Sequence, residues 1–281
     1  MLKVYSNFID AKYFLDSLET RPNAEELKAL SLSIFNDYMP TIEQLSENEY
    51  NILSILEPNQ LFNLHTWALQ NHDKFSCILT WGKDILDTCD NATFFAFGVS
   101  WIDKPYVEIM ATKKKTFEVS YLCGAKKMIE GHYLRHRLFN RGDEIKIPKK
   151  WFYTLPDYSP AEGRILGDLM QKKVVWDDSM YSICIENSSN YNYHTEKIID
   201  AFLTKTVPIY WGCKNIGDFY DINGIIYCQD ENEIIEKVNT LTEQDYYNCM
   251  YAINKNYETA KYYADIYTRY WDMVSSIMGL G

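Results

Sequence analysis

The stretch Tyr181–Gly212, YSICIENSSNYNYHTEKIIDAFLTKTVPIYWG, determines the fold class of this 281-residue chain. Its apolar run at Tyr181–Ile185 predicts a buried strand, and Thr195–Leu203 has helical spacing with Thr195 as N-cap. Val207–Tyr210 predicts the next strand. The loop between the first strand and the helix is rich in Asn, Ser and Tyr. Ligands of open α/β sheets bind where such loops leave the strands, so this unit predicts a polar ligand site.

The rest of the chain alternates strand-like and helix-like segments, which predicts parallel sheets with helices on both faces. A polar, basic stretch at 112–116 interrupts this alternation. Because the chain is long enough for two ordinary domains, we expect an α/β fold of two Rossmann-like domains. Residues 1–115 form the first domain and 116–265 the second, while a helix at 266–281 could pack back on the first.

Individual elements are predicted from the spacing of apolar residues. Phe117–Cys123 is a strand and Glu130–Asn140 the helix that follows it. Ala24–Asp37 is predicted to be an amphipathic helix, Glu144–Ile147 a short strand, and Glu243–Met278 a long helical tail.

The charge of the chain excludes two classes of partner. Its net charge of −11 argues against nucleic acids and anionic membranes. Residues 113–150 nevertheless hold eleven Lys or Arg and four acids, a net charge of +7. Such a segment suits an anionic small ligand, and a solvated basic face is the alternative.

The cysteines indicate the compartment. The chain has seven, an odd number without a C-x-x-C pair, which predicts reduced and mostly buried thiols. Cys123 and Cys184 fall in predicted strands and are expected in the core. No secretory signal or membrane span is evident, so we expect a soluble, cytoplasmic protein whose oligomeric state stays open.

Three motifs of the opening stretch carry a family resemblance. They are E-N-S at 186–188, Y-x-T-E-K-I-x-D-A-F at 193–202 and T-V-P-I-Y-W-G at 206–212. Their order resembles the α1,3-fucosyltransferases of glycosyltransferase family 10, with looser similarity over residues 50–230. The resemblance implies a GT-B fold, with two Rossmann-like domains facing across a cleft, and inverting transfer of fucose from GDP-fucose to a glycan hydroxyl. Phe97-Gly98 departs from the usual proline-glycine, which leaves the acceptor side less defined.

The leaving diphosphate of such a donor gains charge, which a metal ion or fixed cations must stabilise. The chain has no D-x-D pair for a metal, so we expect no metal and no cofactor beside the GDP-fucose donor. Lys197 lies in the first turn of the predicted helix, where the macrodipole disfavours a cation unless an anion is near. The resemblance assigns Lys197 to the donor phosphate. A solvated ion pair with Glu196 or Asp200 is the alternative.

Three more loop residues are assigned to the donor by the resemblance. Asn187 and Glu196 match positions that bind the donor sugar and nucleotide, and Tyr193 matches a tyrosine near the diphosphate. A carboxylate suits a sugar or ribose diol because it accepts two hydroxyl hydrogens. Alternatively, Glu196 is a helix N-terminal acid and Asn187 a turn residue.

The segment 126–137, KKMIEGHYLRHR, occupies the first strand–helix junction of the second domain. Arg135 aligns by spacing with a phosphate-binding arginine of the resembled family, and Arg137 is the fallback. A guanidinium can bond two phosphate oxygens at once. Helix-surface charges are the alternative for both arginines, and His132 and His136 are expected at the surface or behind the site.

A base must remove the proton of the acceptor hydroxyl, and Glu57 is the candidate. It follows the apolar run YNILSIL and precedes Pro58, as a catalytic glutamate does in the resembled family. The alternative is that Glu57 caps a helix beginning near Gln60. Glu108 and Asp103 are weaker candidates for the base.

These features favour one function and leave two others open. The favoured function is an inverting, metal-independent fucosyltransferase that binds a GDP-sugar and a carbohydrate acceptor. The first alternative keeps the fold and the GDP donor with a different sugar. The second is a non-catalytic carbohydrate-binding protein, which an aromatic content of 15% would suit.

Overall fold

Residues 1–7, 11–154, 164–165 and 175–280 are described in the computed structural model of the chain, with the backbone alone for 164–165. Their contacts divide the chain into two compact units. These are Met1–Phe97 with Asp265–Gly281, and Gly98–Ala264. The division falls after Phe97, whereas the sequence places the domain boundary at 115. The helix Lys104–Thr112, which lies between these two positions, belongs by its contacts to the second unit.

The first unit is a parallel five-stranded sheet with helices around it. Its strands, in sheet order, are β1 Lys3–Ser6, β2 Leu32–Asn36, β3 Tyr50–Ile55, β4 Cys77–Thr80 and β5 Ala92–Phe94. Its helices are α1 Ala11–Leu18, α2 Ala24–Ala29, α3 Ile42–Leu45, α4 Asn59–Phe62, α5 Leu64–Asn71, α6 Lys83–Thr88 and the C-terminal α13 Ile266–Ile277. All of β2, and all of β3 except Tyr50, is buried, as expected for central parallel strands covered on both faces.

The second unit is a parallel six-stranded sheet. Its strands are β6 Thr116–Gly124, β7 Lys149–Thr154, β8 Arg164–Ile165, β9 Ser179–Ile185, β10 Val207–Trp211 and β11 Ile226–Tyr227. Its helices are α7 Lys104–Thr112, α8 Glu130–Asn140, α9 Glu196–Leu203, α10 Glu231–Thr240, α11 Glu243–Asn248 and α12 Met250–Ala264.

The strand order of the second sheet locates a ligand edge. The order is β11-β10-β9-β6-β7-β8, so that β6 pairs with β7 on one side and with β9 on the other. Counted from β6, this is the order 3-2-1-4-5-6 of Rossmann sheets, whose direction reverses between the first and fourth strands. The loops after β6 and β9 therefore lie at the switch point, where such sheets bind ligands.

The opening sequence stretch folds as predicted. β9, α9 and β10 follow one another there, and all seven residues of β9 are buried. Thr195 stands at the N-cap position with extended backbone, although its side chain makes no capping bond. Together with the two parallel sheets, this confirms the α/β class.

Three predicted elements are wrong in part. The helix at 24–37 ends at Ala29, and 32–36 forms β2 because burial between β1 and β3 overrides its helical spacing. No strand forms at 144–147, and β7 begins instead at Lys149. The long tail is three helices, and Asp265 starts the last of them by accepting a hydrogen bond from Thr268 N.

The cysteines agree with the prediction of unpaired thiols. All seven are free, and all but Cys249 are buried, including Cys123 and Cys184. Among the described residues, no helix combines the length and apolar character that crossing a membrane requires.

Candidate functional site

The first turn of α8 lies directly against the loop that follows β9. Gly131 N donates to Asn187 O at 3.0 Å. A Cβ on Gly131 would lie 1.9 Å from the Glu186 carbonyl oxygen, so that only glycine permits this approach. The two loops of the switch point are therefore joined into one surface.

Arg135 fastens this surface to the end of β9. Its Nε and Nη2 atoms donate to Ile185 O at 3.0 and 2.8 Å, and Nη2 also donates to Asn187 Oδ1 at 2.7 Å. The residue is only 8% exposed. The structure thus brings the predicted Arg135 and Asn187 together, with the arginine orienting the asparagine amide.

Lys197 lies in a cluster of oxygen atoms at the start of α9. Its Nζ atom is 2.8 Å from Glu196 Oε1, 2.9 Å from Thr195 Oγ1 and 3.4 Å from Glu186 Oε2. Burial by itself lowers the pKa of Lys197, but the two carboxylates outweigh it and the pKa is raised. Lys197 is therefore a cation held in place at the predicted helix N-terminus, beside the predicted Glu196.

Glu186, the first residue of the E-N-S motif, is a member of this cluster to which the sequence assigned no role. It is fully buried, and its carboxylate accepts from Thr195 N at 2.8 Å and Thr195 Oγ1 at 2.6 Å. Burial raises the pKa of Glu186, while the charge of Lys197 opposes that shift. A glutamate placed directly after a predicted buried strand was the available signal.

Two further residues of the loop and helix are placed away from solvent. Tyr193 is fully buried, so its ring supports the loop from within, and its predicted place near a diphosphate stays a prediction. Asp200 accepts from Ser100 Oγ at 2.6 Å and Trp101 N at 3.3 Å. Of the two partners that the alternative gives Lys197, the structure shows Glu196.

A cavity of about 360 Å³ opens beside the switch point, between α8 and the ends of β10 and β11. It is lined by Glu130, Tyr133, Leu134, Arg137, Trp211, Gln229 and Asp230. Trp211 Nε1 donates to Gln229 O at 2.9 Å, which fixes the indole in the wall. The cavity combines two aromatic rings with carboxylate and amide oxygens.

The basic segment at 113–150 is largely bonded within the second unit. Three of its cations make ion pairs of 2.6–2.7 Å, namely Lys113–Asp177, Arg137–Glu231 and Arg141–Glu144. Lys126 and Lys127 are exposed on the loop after β6 and make no ion pair within the described part of the chain. Much of the charge excess is therefore structural, and Arg137, the fallback for Arg135, is already paired.

His132 does not lie at the surface. It is 3% exposed, and its Nδ1 atom accepts from Met128 N at 3.2 Å. Burial, followed by the charges of Arg135, Lys126 and Lys197, lowers the pKa of His132 to about 4. It stays neutral near pH 7 and supports the β6–α8 loop from behind.

Glu57 lies in the first unit, two residues after β3 and at its carboxyl end. Its N–H donates to Asp37 Oδ1 at 3.2 Å, and Asp37 follows the neighbouring strand β2. The weaker candidates Asp103 and Glu108 lie on or beside α7 in the second unit instead. Across the described residues, no group of three His, Cys, Asp or Glu is arranged to hold a metal ion.

Comparison with known proteins adds to this geometry. A 58-residue stretch is 34% identical to the α-(1,3)-fucosyltransferase FucT of Helicobacter pylori. That stretch is 21% of this chain and 12% of the relative, so the match spans about an eighth of the relative's length. No family model matches the chain.

The fold extends the likeness to the rest of the chain. A crystal structure of an α1,3-fucosyltransferase has a TM-score of 0.55 and 13% identity, covering 95% of this chain and 89% of that chain. Another, with GDP-fucose, has a TM-score of 0.53 and 15% identity over 94% and 90% of the two chains. The chain is similar to α1,3-fucosyltransferases. The predicted GT-B class is confirmed, with two parallel sheets, of which the second has the Rossmann strand order and the first runs in the sequential order β1-β2-β3-β4-β5.

Proposed function

We propose that the chain is a glycosyltransferase that moves fucose from GDP-fucose to a glycan hydroxyl, with inversion and without a metal ion. The observation that carries the proposal is the pair of held cations, Arg135 and Lys197, at the switch point of a Rossmann-type sheet. Fixed cations can stabilise the charge that develops on a leaving diphosphate. The likeness to an α1,3-fucosyltransferase, and to the fold of one with GDP-fucose, supports this choice of donor.

The donor would lie along the carboxyl edge of the second sheet. Lys197 and Arg135 would bond the diphosphate, Asn187 and Glu196 would bond the sugar and ribose hydroxyls, and Tyr193 would support the loop beneath them. The neighbouring cavity would take the purine, because its rings can stack on a base. Its carboxylate and amide oxygens suit the donor-rich N1–H and N2–H₂ edge of guanine.

Glu57 would act as the general base of the transfer. Its carboxylate takes the proton of the acceptor hydroxyl while that oxygen forms a bond to the anomeric carbon of fucose. The bond from the anomeric carbon to the diphosphate oxygen breaks on the opposite face, and GDP leaves with the electron pair. The configuration at the anomeric carbon is inverted by this single displacement.

Ligand-induced thermal stabilisation tests the donor assignment. The expected order is a clear shift with GDP and GDP-fucose, a smaller shift with UDP-glucose, and no change on adding EDTA. An equal shift with GDP-mannose would favour the same fold with a different sugar. A response to glycans without a response to nucleotides would favour a carbohydrate-binding protein. Turnover is then tested with labelled GDP-fucose on an array of acceptor glycans.

A further inference from the structure

Asp37, which the sequence did not indicate, follows β2 in an uncommon backbone conformation. Its φ of 46° lies in the left-handed region, which residues other than Gly, Asn and Asp rarely adopt. Its N–H donates to Ser54 O and its carbonyl accepts from Asn7 Nδ2, both at 2.8 Å. The residue is 1% exposed. Contacts with the ends of β1 and β3 therefore hold Asp37 in this conformation.

The Asp37 side chain binds the end of β3. Its Oδ1 atom accepts from Leu56 N at 2.8 Å and from Glu57 N at 3.2 Å. Trp81, just after β4, donates its Nε1–H to Leu56 O at 2.7 Å. The Leu56 carbonyl and the Glu57 N–H belong to one planar peptide group. Because both polar atoms of this peptide group are bonded, the orientation of its plane is fixed. The direction of the chain at Glu57 is fixed with it.

This arrangement costs stability. Among the residues that the structure describes, Asp37 Oδ2 has no hydrogen-bond partner. Burial raises the pKa of Asp37 to about 7, and the charge of Glu57 adds to the shift. A buried carboxyl group that is only partly bonded is unfavourable. Unsatisfied groups and strained backbone concentrate at functional sites, which is the reason to seek a role for this residue.

We infer that Asp37 is a positioning residue that, with Trp81, clamps the Leu56–Glu57 peptide group and sets the direction of the Glu57 carboxylate. The inference rests on the proposed role of Glu57 as the base, and it assigns Asp37 no contact with substrate. The proposed transfer then requires a fixed direction of the Glu57 carboxylate in the first unit, in addition to the donor-binding residues of the second unit.

Two substitutions of Asp37 separate positioning from simple loss of structure. Asn keeps an oxygen acceptor and tolerates the left-handed conformation, so Asp37→Asn should keep kcat within about threefold. Asp37→Ala removes the acceptor and should lower kcat by about 10- to 100-fold with KM for GDP-fucose nearly unchanged, because misplacing a reacting group costs rate. Asn51→Ala, at the other end of β3, is the matched control for a buried polar loss, since Asn51 Nδ2 donates to Leu45 O.

Amide hydrogen exchange of Leu56 and Glu57 is the second readout and needs no turnover. Asp37→Ala should speed exchange of both amides by about tenfold or more, whereas Asn51→Ala should leave them unchanged. Wild-type exchange rates or wild-type kcat in Asp37→Ala would overturn the inference. If the wild-type protein turns over no GDP-sugar, the proposed function fails, and the exchange rates still decide whether the clamp exists.

Discussion

At the carboxyl edge of the second sheet, the Lys197 ammonium lies within 3.4 Å of two carboxylates and Arg135 bonds a carbonyl and an amide. At the same edge of the first sheet, Asp37 makes no ion pair with any described residue, and one of its carboxylate oxygens has no hydrogen-bond partner among them. Both edges hold buried ionisable groups. At the edge of the second sheet the cations and carboxylates balance, whereas at the edge of the first sheet the Asp37 carboxyl group has no counter-charge.

The difference suits two kinds of chemistry. Cations that are already held in place need little reorganisation to bond a phosphate, which favours binding. A buried acid without a counter-charge has a raised pKa, and the hydrogen bonds that Asp37 accepts suit it to placing a neighbouring base. We therefore expect substitutions at the two edges to affect different steps.

The largest effect is expected at Glu57. Glu57→Gln should lower turnover by about 10²- to 10⁴-fold, because a general base contributes a factor of that size. Affinity for GDP should stay near the wild-type value, since Glu57 lies outside the donor edge. Initial rates with GDP-fucose and calorimetry with GDP measure the two quantities. Glu49→Gln, just before the same strand, is the control, and full turnover in Glu57→Gln would move the base elsewhere.

The second effect concerns pH. With a folded pKa of about 7, well above the ordinary value near 4, Asp37 contributes stability that is present below about pH 4. That contribution is lost as pH rises through about 7, by up to roughly 4 kcal/mol. The other titratable groups that act on it are Glu57 and Tyr270. Asp37→Asn should therefore flatten the pH dependence of the first unit's unfolding free energy.

A buried cation of the second unit is an internal control for that experiment. Lys115 donates to Trp176 O at 2.8 Å, and burial lowers its pKa to about 7. Its contribution has the opposite sign, since it is present above about pH 10 and lost as pH falls through about 7. Unfolding followed by hydrogen exchange in each unit at pH 5 to 9 separates the two slopes. Parallel curves for wild type and Asp37→Asn in the first unit would contradict the prediction.

The comparison also explains what the sequence could predict. The unit from β9 to β10 was predicted because a buried strand, a polar loop and a helix start are local patterns. The helix at Glu130–Asn140 was predicted with the bounds that α8 has. The segment Leu32–Asn36 was missed because its state depends on strands on either side, which local spacing does not contain.

The residues of the site also fall into those that were predicted and those that were missed. Arg135, Asn187, Glu196 and Lys197 were predicted because their motifs and spacing resemble those of the α1,3-fucosyltransferases, and the structure places them after two strands that are neighbours in the sheet. Glu186 and Asp37 were missed because burial, and a left-handed φ at Asp37, decide their roles. Neither property is visible in a single sequence without the surrounding fold.

A third, smaller effect is expected at Lys197. Lys197→Ala should weaken GDP binding by about 10- to 100-fold, since charge-assisted bonds contribute roughly 1.5–3 kcal/mol each. Arg135→Ala should act similarly and also loosen the end of β9. Lys197→Arg keeps the charge and should recover part of the affinity. Arg141→Ala removes a half-buried ion-pair residue at the end of the same helix as Arg135 and should bind GDP as the wild type does. Unchanged GDP affinity in both Lys197→Ala and Arg135→Ala would show that the donor site lies elsewhere.

The smallest effect separates held cations from solvated ones. Lys126→Ser should weaken GDP binding by no more than about fivefold, because exposed charges contribute at most about 1 kcal/mol. The difference should vanish in 1 M salt, where the Debye length is about 3 Å, whereas the effect of Lys197→Ala should persist. Lys114→Ser makes the same change of charge at the amino end of β6 and is the control. If Lys126→Ser and Lys114→Ser weaken GDP binding equally, the loop after β6 makes no specific contribution to binding the diphosphate. The held cations Arg135 and Lys197 then account for that binding alone.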